Sequence, residues 1–321
     1  MESDALSGRS MTGMERGMNK VVLVTRKTRL KELIYKYNTV EQAQFYMEHM
    51  GADFSDYLRE DRNYREAVAK VAGAAEKYAR VQQIDREFLP HMIFGEKDIV
   101  IVIGQDGLVA NTMKYLNRQP LIGINPDPAR WDGILLPFEV GQAEAVLCRT
   151  IAGNHAARQV TMAQAKTRDG QTMLAVNDLF IGQRTHVSAR YDITWNRRTE
   201  HQSSSGIIIS TGLGSTGWYR SVIAQAAGIC REVAGQSFKT ERHDWDENKL
   251  FFAVREPFPS RSTQTDIVFG KIGETDHFRI LSQMPGNGVI FSDGIEADAI
   301  EFNSGTEVTI KIAPQKGILV V

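Results

Sequence analysis

Gly104-Gln105-Asp106-Gly107-Leu108 sets a carboxylate between glycines, directly after the apolar run Asp98–Ile103 and just ahead of a helical stretch near Leu108–Leu116. In open α/β sheets, ligands gather beyond the carboxyl ends of strands. Glycines there let the backbone turn tightly and present N–H groups to an anion at a helix start. A carboxylate repels phosphate, so it is better suited to holding a metal ion or taking the proton of an attacking hydroxyl. The plainer alternative is an Asp-Gly turn that caps the helix. Both readings stay open on these residues alone.

Three further segments carry polar groups in apolar surroundings. Ser210-Thr211-Gly212-Leu213-Gly214-Ser215-Thr216-Gly217 links an apolar strand to a helix. Its glycines spell GxGxxG, but no second strand ending in an acid follows about 20 residues on, as a Rossmann site requires. No Gly-Lys-Ser/Thr is present either, so the segment is a polar ligand loop or a flexible connection. Asn177-Asp178 interrupts the apolar run Leu174–Ile181. Buried unpaired, the two would be costly; they suit hydrogen bonds to a sugar's adjacent hydroxyls, or a bulge bonded to local backbone. Asp293-Gly294, after Val289–Ser292, reads as a hairpin turn. The seven histidines show no metal-ligand spacing, so structural zinc is not expected. No GxSxG elbow occurs, and Cys148 and Cys230 read as buried small residues.

The elements that must position these groups change character along the chain. Val21–Thr25 is a short apolar strand, and Thr39 opens a helix with Gln42 completing a capping box. Tyr57, Tyr64, Val68, Val71, Ala75 and Tyr78 recur at helical spacing along one face. Asp98–Ile103, the short helix and Leu121–Ile124 read as a parallel strand–helix–strand crossover. Beyond about residue 140 strands dominate. Val160–Thr167 and Thr172–Ile181 flank an Asp169-Gly170 hairpin turn. Further strands are expected at Val187–Trp195, Ile207–Ser210, Leu250–Arg255, Asp266–Phe269, Phe278–Ser282, Val289–Ser292, Glu307–Ile312 and Ile318–Val321. One strong helix, from near Ser215 to about Val233, interrupts them. The fold class is therefore an N-terminal α/β domain with a parallel sheet, followed by a β-rich C-terminal domain. The expected division is a disordered leader at 1–19, the α/β domain at 20–145, a β-rich ligand-binding domain at 146–288, and strands at 289–321 that return toward the interdomain site.

Composition limits the function classes. The 321 residues carry 38 Lys and Arg against 39 Asp and Glu, a net charge of −1. So even a balance excludes a polybasic nucleic-acid surface as the main theme and an acidic disordered protein. With 42% hydrophobic residues the chain can build two cores. Two distant cysteines exclude a disulfide scaffold and fit a reducing compartment. No run of about 18 apolar residues would span a membrane. A small anionic ligand held by a few local donors fits this balance.

In order and in register, the four polar segments resemble the ATP-dependent NAD kinase family. That family carries a Gly-Gly-Asp-Gly loop after a strand, an Asn-Glu pair, a Thr-rich Gly-Ser-Thr loop and a late Asp-Gly. Gly123–Arg130 (GINPDPAR), Ser204-Ser205-Gly206 and Phe252–Pro257 (FAVREP) are similar to its mitochondrial-type branch. The resemblance runs from about residue 98 to the C-terminus. It implies an NAD kinase-like fold with NAD in the crevice between the domains, ATP and Mg²⁺ as donor and metal, and a homodimer or higher homo-oligomer without nucleic-acid or membrane partners. The implied location is cytoplasmic in a bacterium, or the mitochondrial matrix in a eukaryote. Asp106 would activate the 2′-hydroxyl of the adenosine ribose. Gly104 and Gly107 would flank the phosphates; Asn177 and Asp178 would hold dinucleotide hydroxyls. Thr211, Gly214, Ser215, Thr216, Gly217, Trp218 and Ser221 would line the rest of the NAD site, with Asn125 and Asp293 nearby and Ile134 and Leu135 against the adenine. This chain departs from the family at Gln105, where the family has Gly, at Leu108, where it usually has Thr, and at Asp178, one methylene shorter than Glu. The motifs leave the donor open between ATP and polyphosphate, and the acceptor between NAD and NADH. A non-catalytic dinucleotide sensor and a related lipid or sugar kinase are the alternative functions.

Overall fold

Runs of β-branched and aliphatic residues without polar alternation form strands covered on both faces. The sequences KVVLVT, IVIVI and PLIGIN do so here, and almost all of their side chains are buried. The computed structural model describes residues 20–238 and 241–321; the expected leader, 1–19, lies outside them. The first part of the chain runs β1 (Lys20–Thr25), α1 (Arg29–Tyr37), α2 (Val40–His49), α3 (Phe54–Glu76), β2 (Arg80–Asp85), β3 (Ile99–Ile103), α4 (Asp106–Met113), β4 (Pro120–Asn125), β5 (Phe138–Glu139) and α5 (Ala143–Ile151). The remainder is β6 (Ala157–Thr167), β7 (Thr172–Ala175), β8 (Asp178–Gln183), β9 (Ala189–Trp195), β10 (Arg198–Ser204), β11 (Ile207–Ser210), α6 (Trp218–Ala234), β12 (Leu250–Val254), β13 (Phe269–Ile272), β14 (Phe278–Ser282), β15 (Gly288–Ser292), β16 (Ile295–Glu301) and β17 (Glu307–Val320). The expected α/β unit followed by a β-rich unit is what the chain adopts.

Strands β4-β3-β1-β2 pair in parallel, in that order. The face carrying Val21, Leu23, Ile99 and Ile101 packs on α3 and α5, and the opposite face packs on α4. The last strand, β17, pairs in parallel with β4 and antiparallel with β6, so the chain's end joins the N-terminal sheet. A second sheet of six strands, β13-β12-β11-β8-β15-β16, stacks on the antiparallel half of the first across an apolar core centred on Tyr191, Phe252 and Phe278. Among the described residues no helix is long and apolar enough to cross a membrane.

Four expectations need correction. Thr172–Ile181 is two strands, β7 in the large sheet and β8 in the six-stranded one, and the chain changes sheet at Val176-Asn177. The strand expected at Asp266–Phe269 begins where it was expected to end, because Phe269–Ile272 is the stretch that pairs with β12. Glu307–Ile312 and Ile318–Val321 belong to one strand, continuous through an irregularity between Ile312 and Lys316. Cys148 and Cys230 are free and only partly covered.

Candidate active site

Asp106 is the first residue of α4, and Gln105 before it supplies no side-chain cap. The Asp106 carboxylate instead accepts the backbone N–H groups of Ile134 and Leu135, at 3.1 and 2.8 Å. Those two residues close a loop that leaves β4 at Asn125. Asn125 shapes the loop, accepting from Asp127 N at 3.1 Å and donating to Trp131 O at 2.9 Å. The loop lies so close to β4 that a Cβ at Gly123 would sit 2.1 Å from Leu135 O, so only glycine fits. The side chains expected against an adenine part company: Ile134 is 62% exposed, whereas Leu135 is buried in the core. Gln105 has an extended backbone, φ −124° and ψ 162°, which any residue adopts. Leu108 is a core residue packed over Gly104.

The second node lies where the chain changes sheet. Asp293 sits in the tight turn between β15 and β16 with φ +54°, and its carboxylate reaches back to the Asn177 segment. It accepts backbone N–H bonds from Val176 at 3.0 Å, Asn177 at 2.6 Å and Asp178 at 3.3 Å. Thr211 completes the node: its hydroxyl donates to Val176 O at 2.6 Å and accepts from Gly214 N at 3.1 Å. Gly214 is a second enforced glycine, since a Cβ there would lie 2.0 Å from Asn177 O. Ser215 donates to Gly212 O at 2.6 Å and is buried. Thr211, Gly214 and Ser215 therefore build the loop, while Thr216, Gly217 and Ser221 are exposed at its rim.

Two acids meet at this node, one bonded to three backbone N–H groups and one without a side-chain partner among the described residues. Asp178 is buried, and its carboxylate has no hydrogen-bond partner among the described residues. Burial, and then the neighbouring Asp293 charge, lift its pKa from 3.8 to about 7. Burial of the Asp293 carboxyl also raises its pKa, opposed by the backbone N–H donors and by Lys114.

One core joins the nodes. Leu108, Leu135, Val176 and Leu213, each next to or bonded to a candidate residue, pack in a single apolar cluster. Polar contacts tie them as well. Lys114, at the end of α4, is buried and donates to Ser292 Oγ at 3.0 Å and to Asp298 at 2.9 Å. The helix that begins with Asp106 is thus fastened to the hairpin that carries Asp293.

Trp218, at the start of α6, lines a cavity of about 370 Å³ together with Ser205, Arg184 and Phe291. Its ring stacks on Phe180 at 5.5 Å, and the Arg255 guanidinium lies 5.4 Å from its centroid. Ser205 and Gly206 exchange backbone hydrogen bonds with Arg255 at 2.9 and 2.8 Å, so two segments that carried the family resemblance are direct neighbours.

The segment between β1 and β2 braces the site through contacts that residue spacing does not reveal. Tyr64 on α3 donates to Ile103 O and accepts from Arg26 N, both at 2.9 Å, bracing the strand ends just before Gly104. Arg26 and Arg29 bind Glu60 at 2.8 and 3.1 Å. Asp56 takes Arg130 in a two-pronged bond at 2.9 and 2.5 Å and Arg29 at 2.7 Å, and these guanidinium groups hold its carboxyl well below the usual range. Arg130 lies in the loop that ends on Asp106. A usable signal was present: Arg26-Lys27-Thr28-Arg29 follows a buried strand, just as the Gly104 loop does.

Among the described residues no group of three His, Cys, Asp or Glu side chains could cage a metal ion.

No known family profile matches the chain. Two curated NAD kinases from strains of Clostridium kluyveri are 31% identical to it over 129 residues, 38% of this chain. The match spans 44% of the length of those relatives. A yeast NADH kinase solved with NADH aligns over 95% of this chain and 84% of its own, at 15% identity and a TM-score of 0.59. An NAD kinase from Archaeoglobus fulgidus solved with ATP aligns over 95% and 94%, at 14% identity and a TM-score of 0.55. The resemblance read from the motifs is borne out: the chain is similar to NAD kinases in part of its sequence and shares their fold over nearly its whole length.

Proposed function

We propose that this protein is an NAD kinase-like phosphotransferase that moves the terminal phosphoryl group of ATP to the 2′-hydroxyl of the adenosine ribose of NAD, giving NADP. The observation that carries the reading is Asp106, a carboxylate fixed by two backbone N–H groups at the end of a buried strand. A ribose hydroxyl is a poor nucleophile at pH 7, and a positioned carboxylate that takes its proton removes that obstacle. The hydroxyl oxygen then forms the new bond to the γ-phosphorus, the bond to the β–γ bridging oxygen breaks, and ADP leaves. Asp106 needs only one free lone pair for this, and a carboxylate bound by two N–H donors keeps others.

The surroundings suit the two substrates. The start of α4, with no side-chain cap, directs N–H groups toward an anion. Asp178, without an internal partner, is placed to accept from sugar hydroxyls, and the aromatic cavity at Trp218 offers planar walls to a dinucleotide ring. Phosphoryl transfer asks little more of the protein than positioning and charge neutralisation, and Mg²⁺ brought by the donor would offset the phosphate charge. The similarity to NAD kinases favours a dinucleotide acceptor over a lipid or polyol, and the held Asp106 favours turnover over mere sensing. We place the protein in an aqueous compartment as a homo-oligomer. The test is NADP formation by the purified protein from NAD and Mg-ATP; no product beside an active control kinase contradicts the reading.

A further inference from the structure

Strands β2, β1 and β3 are adjacent, parallel and end level with one another. Thr25 of β1 pairs with Asp85 of β2, and Val24 with Val102 of β3. Continued past the strand ends, those registers set Arg26, Arg86 and Gly104 at one level. Because β1 lies between the other two, Arg86 stands two strand spacings from Gly104, about 10 Å. An arginine side chain and a phosphoryl group together fill such a gap. A cavity of about 820 Å³ opens at this edge, lined by Gln105 of the Asp106 loop and by Arg26, Lys27, Arg29 and Arg86. Its wall also carries Arg26 Nε and Asn111 Oδ1, both buried and without a hydrogen-bond partner. Asn111 is only 5% exposed. Buried polar atoms are nearly always bonded, so a polar ligand is what completes this wall.

The four cations are not equivalent. Arg26 is bonded to Glu60 at 2.8 Å, and Arg29 to Glu60 at 3.1 Å and to Asp56 at 2.7 Å. Lys27 holds Glu87 at 2.7 Å. Arg86 is exposed, and among the described residues its guanidinium has no ion-pair or hydrogen-bond partner. The other acids of the lining are engaged as well: Asp85 accepts Glu87 N at 3.1 Å, and Asp298 takes Lys114 at 2.9 Å and the Tyr115 hydroxyl. Glu32, the one left, lies exposed on α1, where solvent and salt screen it. A guanidinium already paired has its charge offset and its donors in use, so turning it to a phosphate breaks a bond. Arg86 brings its full charge and its fork of donors without that cost.

We propose that Arg86 is a catalytic residue of the transfer. It binds the terminal phosphoryl group and offsets the charge on its oxygens as it passes from the β–γ bridging oxygen to the ribose. Arg26 and Arg29 shape the wall, and Arg86 makes the contact. This rests on the kinase reading of Asp106, and the test separates the two. Wild type, Arg86→Met and Arg86→Lys are compared for NADP formation from NAD and Mg-ATP. Equilibrium binding of Mg-ADP and of a β,γ-imido ATP analogue is measured on the same proteins. Arg86→Met should lower kcat by about 10²–10³, with KM for NAD and melting temperature nearly unchanged, and Arg86→Lys should recover part of the loss. Methionine should weaken analogue binding about tenfold, the value of a hydrogen bond to a charged group. ADP binding should stay as in wild type, because only the analogue carries the terminal phosphate. Full turnover in Arg86→Met, or equal losses for analogue and ADP, overturns the inference and leaves the kinase reading intact. No NADP from wild type sinks the kinase reading, and the analogue–ADP comparison still decides whether Arg86 holds the terminal phosphate. Wild type that fails to bind the analogue contradicts both.

Discussion

Asp293 accepts the backbone N–H of Asn177 at 2.6 Å across a separation of 116 residues. The bond joins the β15–β16 turn to the point where the chain leaves one sheet for the other. It also explains how a polar pair inside an apolar run is tolerated, since the backbone there is tied to a carboxyl that accepts three N–H groups.

Replacing Asp293 with Asn keeps one acceptor and turns an amide donor toward N–H groups. Denaturant unfolding should show a loss of about 1–3 kcal/mol, the cost of leaving buried N–H donors without their acceptor. A variant as stable as wild type would mean that the three bonds contribute nothing net.

Asp178 gives a stability signal with a defined sign. Its folded pKa, about 7, lies above the ordinary 3.8. Between those values the folded chain binds more protons than the unfolded one, so its contribution to stability falls as pH rises through that window and stays lost above it. Asp178→Asn removes the titration. The variant should match wild type near pH 4 and exceed it at pH 8, by at most about 4 kcal/mol. A difference independent of pH would contradict the raised pKa.

Arg130 is expected to act on catalysis through position. Its two-pronged bond to Asp56 anchors the loop whose far end holds Asp106. Lysine keeps the charge and loses the fork. Arg130→Lys should lower kcat about tenfold, the effect of a slightly misplaced base, with KM for NAD and melting temperature nearly unchanged. A change confined to melting temperature would show that the bond serves only the fold.

Much of this was legible in the residue order, and the misses have physical causes. The parallel unit could be read because IVIVI and LIGI are short apolar runs without polar alternation, the pattern of strands covered on both faces. Asp106 stood out because a carboxylate between glycines at a strand end is chemically odd. The break at Val176-Asn177 was hidden because apolar residues continue on both sides of it, and only the pairing of β7 and β8 with different partners reveals the change of sheet. The Asp56–Arg130 and Lys114–Asp298 contacts join residues 74 and 184 positions apart, a distance over which local spacing carries no information. Thr211 and Ser215 drew notice as hydroxyls in a ligand loop, yet their bonds to Val176 O and Gly212 O belong to the scaffold.

The central claim is that Asp106 takes the proton of the NAD 2′-hydroxyl while ATP supplies the phosphoryl group. Wild type and Asp106→Asn should be compared directly, with NADP formation followed under saturating NAD and Mg-ATP and NAD binding measured by calorimetry. The expected result is NADP from wild type, turnover lower by about 10²–10⁴ in the variant, and NAD affinity within a few-fold. Equal turnover in the two proteins, or none in wild type, would contradict the account.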